Sequence, residues 1–262
     1  VKRRDFLATS LSASTLALAG ETSAQPAAAP AREFYLIRRY SLRSGPQLKL
    51  TEDFLAHALI PALTRMGLGP VGALKLDYGP ETPAYYLIVP GSSIDLVATF
   101  NMKLPQDRDF LESAAPFWNA PASAPAFERA ESWLLEAFAG WPKITPSANT
   151  KEKRIFQLRT YESPSNGEHV RKVEMFHSGE FEIFLKAGFH PVFFGDTLVG
   201  SRMPSLTYML CFASLADLDA KWEVFHNDPD WKKLSANPRF AFDPIVSNIG
   251  NLLLSPLDCS QI

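Results

Sequence analysis

The sequence predicts an α+β protein built from two tandem ferredoxin-like units, each running strand-helix-strand-strand-helix-strand, that close into one intramolecular α/β barrel. Three observations carry this. The stretch FYLIRRY, Phe34 to Tyr40, returns as IFQLRTY, Ile155 to Tyr161, 121 positions later. A similar order of strand and helix patterns follows each copy. Finally, a four-stranded sheet with both helices on one face leaves its other face bare. Two bare apolar faces in one chain are expected to cover each other.

The echo continues downstream. Gly67 and Pro70-Val71 recur as Gly188 and Pro191-Val192, and Asp107 and Asp109-Phe110 as Asp228 and Asp230-Trp231, at the same offset of 121. Tyr86 matched with Tyr208, and Asp95 with Asp217, gives 122, which reads as one residue inserted between the blocks. A nearly constant offset over a long stretch marks two copies of one structural unit. The expected organisation is a signal peptide over residues 1–24, a flexible lead-in over 25–32, a first unit over 33–140, a linker over 141–153 and a second unit over 154–262.

At the amino terminus, Arg3-Arg4 followed by Asp5-Phe6-Leu7 and a moderately apolar run matches the bacterial twin-arginine export signal. Small residues at Thr22-Ser23-Ala24 supply a cleavage site. The expectation is export to the periplasm. Gln25 to Arg32 is rich in Pro and Ala without periodicity and reads as a lead-in.

In the first unit, Phe34 to Tyr40 alternates like a strand. Leu50 to Met66 carries a helical apolar stripe, with Thr51 as its N-cap, Gly67 as its stop and Pro61 as a bend. Val71 to Tyr78 and Ala84 to Val89 read as strands joined by the turn-rich Gly79 to Pro83. Ile94 to Met102 is a second helix, and Asp107 to Ser113 one further turn. Glu128 to Glu136 fits helical spacing on its own. The unit, however, is completed by a fourth strand, and the second copy offers one at Ile245 to Leu254, so strand is assigned. Trp141 to Lys153, with two prolines and a polar run, is the linker.

The second unit repeats the order. Arg154 to Tyr161 is a strand, and Gly167 to Ala187 a long helix bent at Gly179. Pro191 to Val199 and Leu206 to Ala213 are strands. Leu215 to His226 is a helix, Asp230 to Leu234 a further turn, and Ile245 to Leu254 the last strand.

Composition narrows the function. Of 262 residues, 46% are hydrophobic and 21% charged, with a formal charge of −2, so a nucleic-acid partner is not expected. Two cysteines are too few for a disulfide framework. No apolar run approaches the roughly 20 residues needed to span a bilayer. There is no nucleophile-elbow motif, phosphate-cradling glycine loop, dinucleotide fingerprint or paired-histidine metal spacing. No cofactor and no metal are therefore expected.

Strand alternation places Arg38 and Tyr40, and likewise Arg159 and Tyr161, on one side of their strands. If that side faces the space between the sheets, two guanidinium groups and two phenols converge on a cavity suited to a small anionic or aromatic ligand. The alternative is that these arginines pair with carboxylates at the barrel mouth. His177 shares a helical stripe with Val170, Phe181 and Phe184, between Glu174 and Glu180. It joins the candidate ligand site if the bend at Gly179 turns it inward, and is otherwise a hydrogen-bonded structural histidine. The Asp228-Pro229-Asp230-Trp231 turn reads as scaffold.

The stretches IFQLRTY, MFHSGEFEIF, GFHPVFFGDTLVG, TYML and NDPDW resemble the NIPSNAP family, over about residues 33 to 262. The resemblance implies the dimeric α/β-barrel superfamily, which includes small monooxygenases, haem-handling enzymes and proteins without assigned chemistry. Its carried positions are Arg159, Tyr161 and the Asp228 to Trp231 turn. The first copy departs from the pattern, with RRY for RTY and DRDF for DPDW, so the second half is the expected host of any site. The function expected is a non-catalytic small-molecule-binding or interaction protein. The alternative is a cofactor-poor oxidoreductase or monooxygenase acting on an aromatic or quinone-like molecule. The oligomeric state is left open.

Overall fold

The computed structural model describes residues 31–43, 45–147 and 152–262. The expected signal peptide, most of the lead-in and part of the expected linker lie outside the described residues. The first half contributes strands β1 (Phe34–Ser41), β2 (Gly72–Leu76), β3 (Ala84–Gly91) and β4 (Arg129–Ala137), hydrogen-bonded in the order β4-β1-β3-β2. The second contributes β5 (Ile155–Glu162), β6 (His190–Val199), β7 (Ser205–Phe212) and β8 (Asn248–Pro256), in the order β8-β5-β7-β6. Antiparallel pairing of β2 with β8 and of β4 with β6 joins the two rows into a closed eight-stranded barrel. Closure removes every open sheet edge.

Period-two alternation then sorts side chains onto two faces. Tyr35, Ile37, Tyr86, Phe156, Leu158, Phe193 and Met209 form a core inside the barrel to which both halves contribute. Leu36, Tyr40, Tyr85 and Leu87 face outward, under the first half's helices. Tyr161, Phe194, Tyr208 and Leu210 do the same in the second half.

The helices on the outer face are α1 (Pro46–Phe54), α2 (Ile60–Arg65), α3 (Ile94–Lys103) and α4 (Arg108–Trp118) in the first half. In the second they are α5 (Asn166–Met175), α6 (Phe181–Lys186), α7 (Leu215–Asn227), α8 (Pro229–Ser235) and the short α9 (Phe242–Ile245). A π-helical segment joins α1 to α2 at Leu55–Leu59, and another joins α5 to α6 at Phe176–Glu180. In the first half this wider turn lies just ahead of Pro61, which has no N–H to give to a helical ladder. In the second half the bend expected at Gly179 is present, with φ 125° and ψ −6°.

Caps recur at matching places. The Ser93 side chain accepts from the Leu96 N–H and that of Ser214 from the Asp217 N–H. Asp107 caps α4 through the Phe110 N–H, and Asp228 caps α8 through the N–H groups of Asp230 and Trp231.

Several expectations need correction. Asp107 to Ser113 is not one turn but part of the longer α4. The last strand begins at Asn248, because Pro238–Phe240 and Phe242–Ile245 form helical turns first. No residue is inserted between the matched stretches of the two halves. Arg38 pairs with Leu87 and Arg159 with Tyr208, so the offset stays at 121 and the counterpart of Tyr86 is Thr207. The identity match had paired an inward tyrosine with an outward one.

Candidate functional site

A cavity of about 220 Å³ opens at one end of the barrel. Its floor is apolar, made by Ile37, Leu76, Leu158 and Leu252, with the rings of Tyr86 and Trp133 on one side. The β2–β3 turn supplies Tyr78 to Glu81 and the β6–β7 turn supplies Arg202 at the rim.

The two halves line this cavity differently, and the difference makes the space. Strand register pairs Arg39 with Tyr86 and Glu131 in the first half, and Thr160 with Thr207 and Gly250 at the equivalent stations of the second. Leu76 on the first wall likewise has Thr197, 121 positions later, as its counterpart on the second. At these stations the first half projects large side chains and the second small ones, which leaves space against the second wall, whereas deeper in the barrel Ile37 and Trp133 are matched by Leu158 and Leu252. That wall is hydroxylated. Thr160 and Thr207 share a hydrogen bond of 2.9 Å, and Ser205 donates to Thr197 at 3.0 Å.

Charge at the mouth is largely neutralised. Arg39 is held between Glu81 of the β2–β3 turn and Glu131 of β4, and its Nε is buried without an acceptor. Arg202 is half-exposed and only 3.8 Å from the Glu162 carboxylate. Burial pushes the Tyr86 phenol above its ordinary value, and Arg39 only partly offsets this, so Tyr86 is a neutral hydrogen-bonding group at physiological pH. The site therefore suits a mostly apolar molecule with oxygen functions rather than a multiply charged anion.

The residues singled out from the sequence do not line this cavity. Arg38, Tyr40, Arg159 and Tyr161 lie on the helix-facing side of their strands, and the expectation that they converge between the sheets is corrected. Alternation placed them correctly together but could not say which face was inward. The inward residues of FYLIRRY are Tyr35, Ile37 and Arg39, of which Ile37 and Arg39 line the cavity. Arg38 donates to Ser132 and Asn101, both at 3.0 Å. Tyr40 is buried against Phe117 and Phe127.

In the second half Arg159 donates to the Tyr161 hydroxyl at 3.1 Å, and that hydroxyl lies 3.0 Å from the Tyr208 hydroxyl. Lys172 and Glu180, 3% and 2% exposed, form an ion pair of 2.9 Å beside Tyr161 and Phe176. His177 is exposed. Its Nδ1 donates to the Val173 carbonyl at 2.9 Å and its Nε2 accepts the Gly140 N–H at 3.1 Å. These partners tie the helix bend to the end of β4 and hold the ring outside the barrel, away from the cavity.

Sequence reasoning also passed over His169. It is 8% exposed, its Nε2 is 2.7 Å from Asp196, and its Nδ1 is buried without a partner. Nothing in the local spacing marks this pair, because β6 brings Asp196 from 27 positions away. Cys211 and Cys259 are both free thiols. Among the described residues, no group of three or more His, Cys, Asp or Glu side chains is placed to hold a metal ion, and no helix is long and apolar enough to cross a membrane.

Comparison with known proteins places these observations in context. The NIPSNAP family model matches residues 156–261, the second half of the chain. No protein of curated function matches the sequence. A candidate monooxygenase of Lactobacillus acidophilus is similar in structure, with a TM-score of 0.56 at 10% identity, covering 86% of this chain and 94% of that one. A candidate monooxygenase of Fusobacterium nucleatum gives a TM-score of 0.57 at 9% identity, covering 87% and 94%. A NIPSNAP-like domain protein of Burkholderia xenovorans aligns over 40% of this chain and 86% of its own, at 16% identity and a TM-score of 0.36. The full-length likenesses establish the barrel fold.

Proposed function

We propose that this chain is a binding protein for a small, largely apolar molecule bearing one or more oxygen functions, held in the barrel mouth. The observation that carries the reading is the mismatch between the two walls: Thr160, Thr207 and Gly250 stand where the first half has Arg39, Tyr86 and Glu131. An apolar floor supplies affinity, and the hydroxyls of Thr160, Thr207, Ser205 and Thr197 orient the ligand's oxygens. The cavity is somewhat smaller than the ~300–1,000 Å³ of drug-sized sites, which limits the ligand to a compact molecule.

The test copies the first wall onto the second. Thr207→Tyr and Thr160→Arg fill the space with side chains that the same barrel already accommodates at equivalent stations. Native mass spectrometry of the purified chain should find a retained small molecule that both variants lose while their circular dichroism stays that of the parent. A ligand that persists in both filled variants would remove the barrel mouth from consideration.

The two halves are read as two ferredoxin-like units of one repeat. The matching strand orders, the π segments beginning at Leu55 and Phe176, and the paired caps Ser93 with Ser214 and Asp107 with Asp228 support this. Export through the twin-arginine route belongs to the same proposal and rests on Arg3-Arg4 and the run that follows. Replacing both arginines with Lys should hold the precursor in the cytoplasm, and undiminished delivery would remove this part.

A second reading, an oxidoreductase acting on an aromatic or quinone-like molecule, is favoured by the Tyr86 and Trp133 rings that flank the cavity. Chemical change of the retained molecule under oxygen would support it, and release of an unaltered molecule would favour binding alone.

A further inference from the structure

Arg38 and Arg159 occupy the same station in the two halves, and the first serves as an internal control for the second. On β1, Arg38 lies between Leu87 of β3 and Ser132 of β4; on β5, Arg159 lies between Tyr208 of β7 and Asn251 of β8. Directly opposed residues of an antiparallel pair share a face, so Ser132 and Asn251 stand beside their arginines on the outer surface.

In the first half the protein supplies the acceptors. Ser132 takes the Arg38 Nε at 3.0 Å, and Asn101 of α3 takes Nη1 at 3.0 Å. In the second half both acceptor positions have changed. Trp222 of α7 stands where Asn101 does, and its ring lies 4.7 Å from the Arg159 guanidinium carbon. An indole face stacks on a guanidinium but accepts none of its in-plane N–H groups. Asn251 is exposed and does not bond Arg159.

The result is an arginine with one hydrogen bond, from Nη2 to the Tyr161 hydroxyl, while Nε is buried without an acceptor. Among the described residues no carboxylate lies within ion-pair distance of it. The nearby charges do not cancel it, because Glu180 is already paired with Lys172. Its field reaches outward. His226, stacked on Trp222, is pushed below its ordinary pKa first by partial burial and then by the Arg159 charge.

We propose that Arg159, Trp222 and Asn251 form a binding site for an oxyanion, a carboxylate or phosphate group, on the outer face of the second half. Arg159 supplies planar, charged donors that two-oxygen anions match, Trp222 holds the guanidinium in plane, and Asn251 offers an amide donor at the exposed edge. The site is separate from the barrel mouth, because Arg159 and the cavity-lining Thr160 point to opposite faces of β5. Either proposal can therefore fail alone.

The experiment titrates the full chain with sodium acetate, sodium benzoate and inorganic phosphate. Binding is read from the nitrogen-15 NMR signal of the Arg159 Nε–H and from indole fluorescence. At least one oxyanion should bind, and preference between the carboxylates and phosphate identifies the source. Arg159→Met should weaken that binding by about tenfold or more, as expected for a lost charge-assisted hydrogen bond. Asn251→Asp should weaken it similarly by placing a carboxylate beside Arg159 within the chain, and it alters only an exposed position. Arg38→Met should bind as the parent does. Failure of all three anions to bind, parental binding by folded Asn251→Asp, or equal loss in Arg38→Met would each overturn the proposal. If Arg159→Met does not fold, Asn251→Asp decides the matter.

Discussion

Lys172 and Glu180 form an ion pair of 2.9 Å across the helix bend with almost no exposure. Removing one member of such a pair strands the other charge. Glu180→Leu leaves the buried Lys172 ammonium without its carboxylate and should destabilise the protein by about 3–5 kcal/mol, whereas adding Lys172→Met should recover most of that loss. The pair also carries a pH signature. Burial raises the Glu180 pKa above 4.5, and Lys172 only partly lowers it again. A carboxyl whose folded pKa is raised contributes stability that is complete below its unfolded value and lost as pH rises through the folded one. Denaturant titrations across the acid range should thus show stability falling with rising pH in the parent, relative to Glu180→Gln. Parallel profiles for the two proteins would contradict the assignment. At this scale the sequence named Arg159, Tyr161 and His177 but passed over Lys172. A lysine in a helical stripe reads as solvated until packing removes the solvent.

Among the elements, the two bent helices show how one insertion-like distortion is accommodated in two ways. Leu55–Leu59 keeps helical torsions throughout, with Ala58 at the place that Gly179 takes in the second half, while Phe176–Glu180 breaks them at Ser178 and Gly179. Gly179 holds φ at +125°, and a Cβ there would meet nothing within 4 Å, so any penalty for a side chain is conformational rather than steric crowding. Gly179→Ala should cost about 1–2 kcal/mol, the price of a left-handed torsion for an L-residue. Thermal unfolding of that variant should show a lower Tm, and an unchanged Tm would mean the bend relaxes freely. The bend was legible because glycine inside a helical stripe is a standing cost. The π turns were not.

For the whole molecule, closure ties the halves together. Both contribute to the core inside the barrel, and the seams β2–β8 and β4–β6 cross between them. The chain's last residues add to this bond. Gln261 donates its N–H to the Val71 carbonyl and accepts the Val71 N–H on its side chain, while Ile262 is fully buried against Gly72. Neither half can expose its inner sheet face without exposing its sibling's. Denaturant unfolding should therefore be a single transition, coincident for an indole probe at Trp133 and one at Trp222 in single-tryptophan variants. Ile262→Ala should lower the midpoint of both together by about 2–5 kcal/mol equivalent, as for other deleted core aliphatics. Separate midpoints for the two probes would show halves that fold independently.

The order of the strands and main helices and the closure into a barrel were legible in the sequence, because alternation and spacing are local or additive signals, whereas the start of α1 at Pro46 was not, since Thr51, the expected cap, is buried within that helix. The sequence determined that Arg38 with Tyr40, and Arg159 with Tyr161, share a face. Which face is inward depends on contacts far apart in the chain. A strand's period of two is symmetric, and inside and outside are assigned by the helices that land on one side and the sheet that closes on the other. It is these contacts that put Arg39 in the cavity and Arg159 outside it. They also set Thr160, Thr207 and Gly250 opposite larger counterparts, so the cavity itself is a property of two walls meeting, which no single stretch of sequence contains.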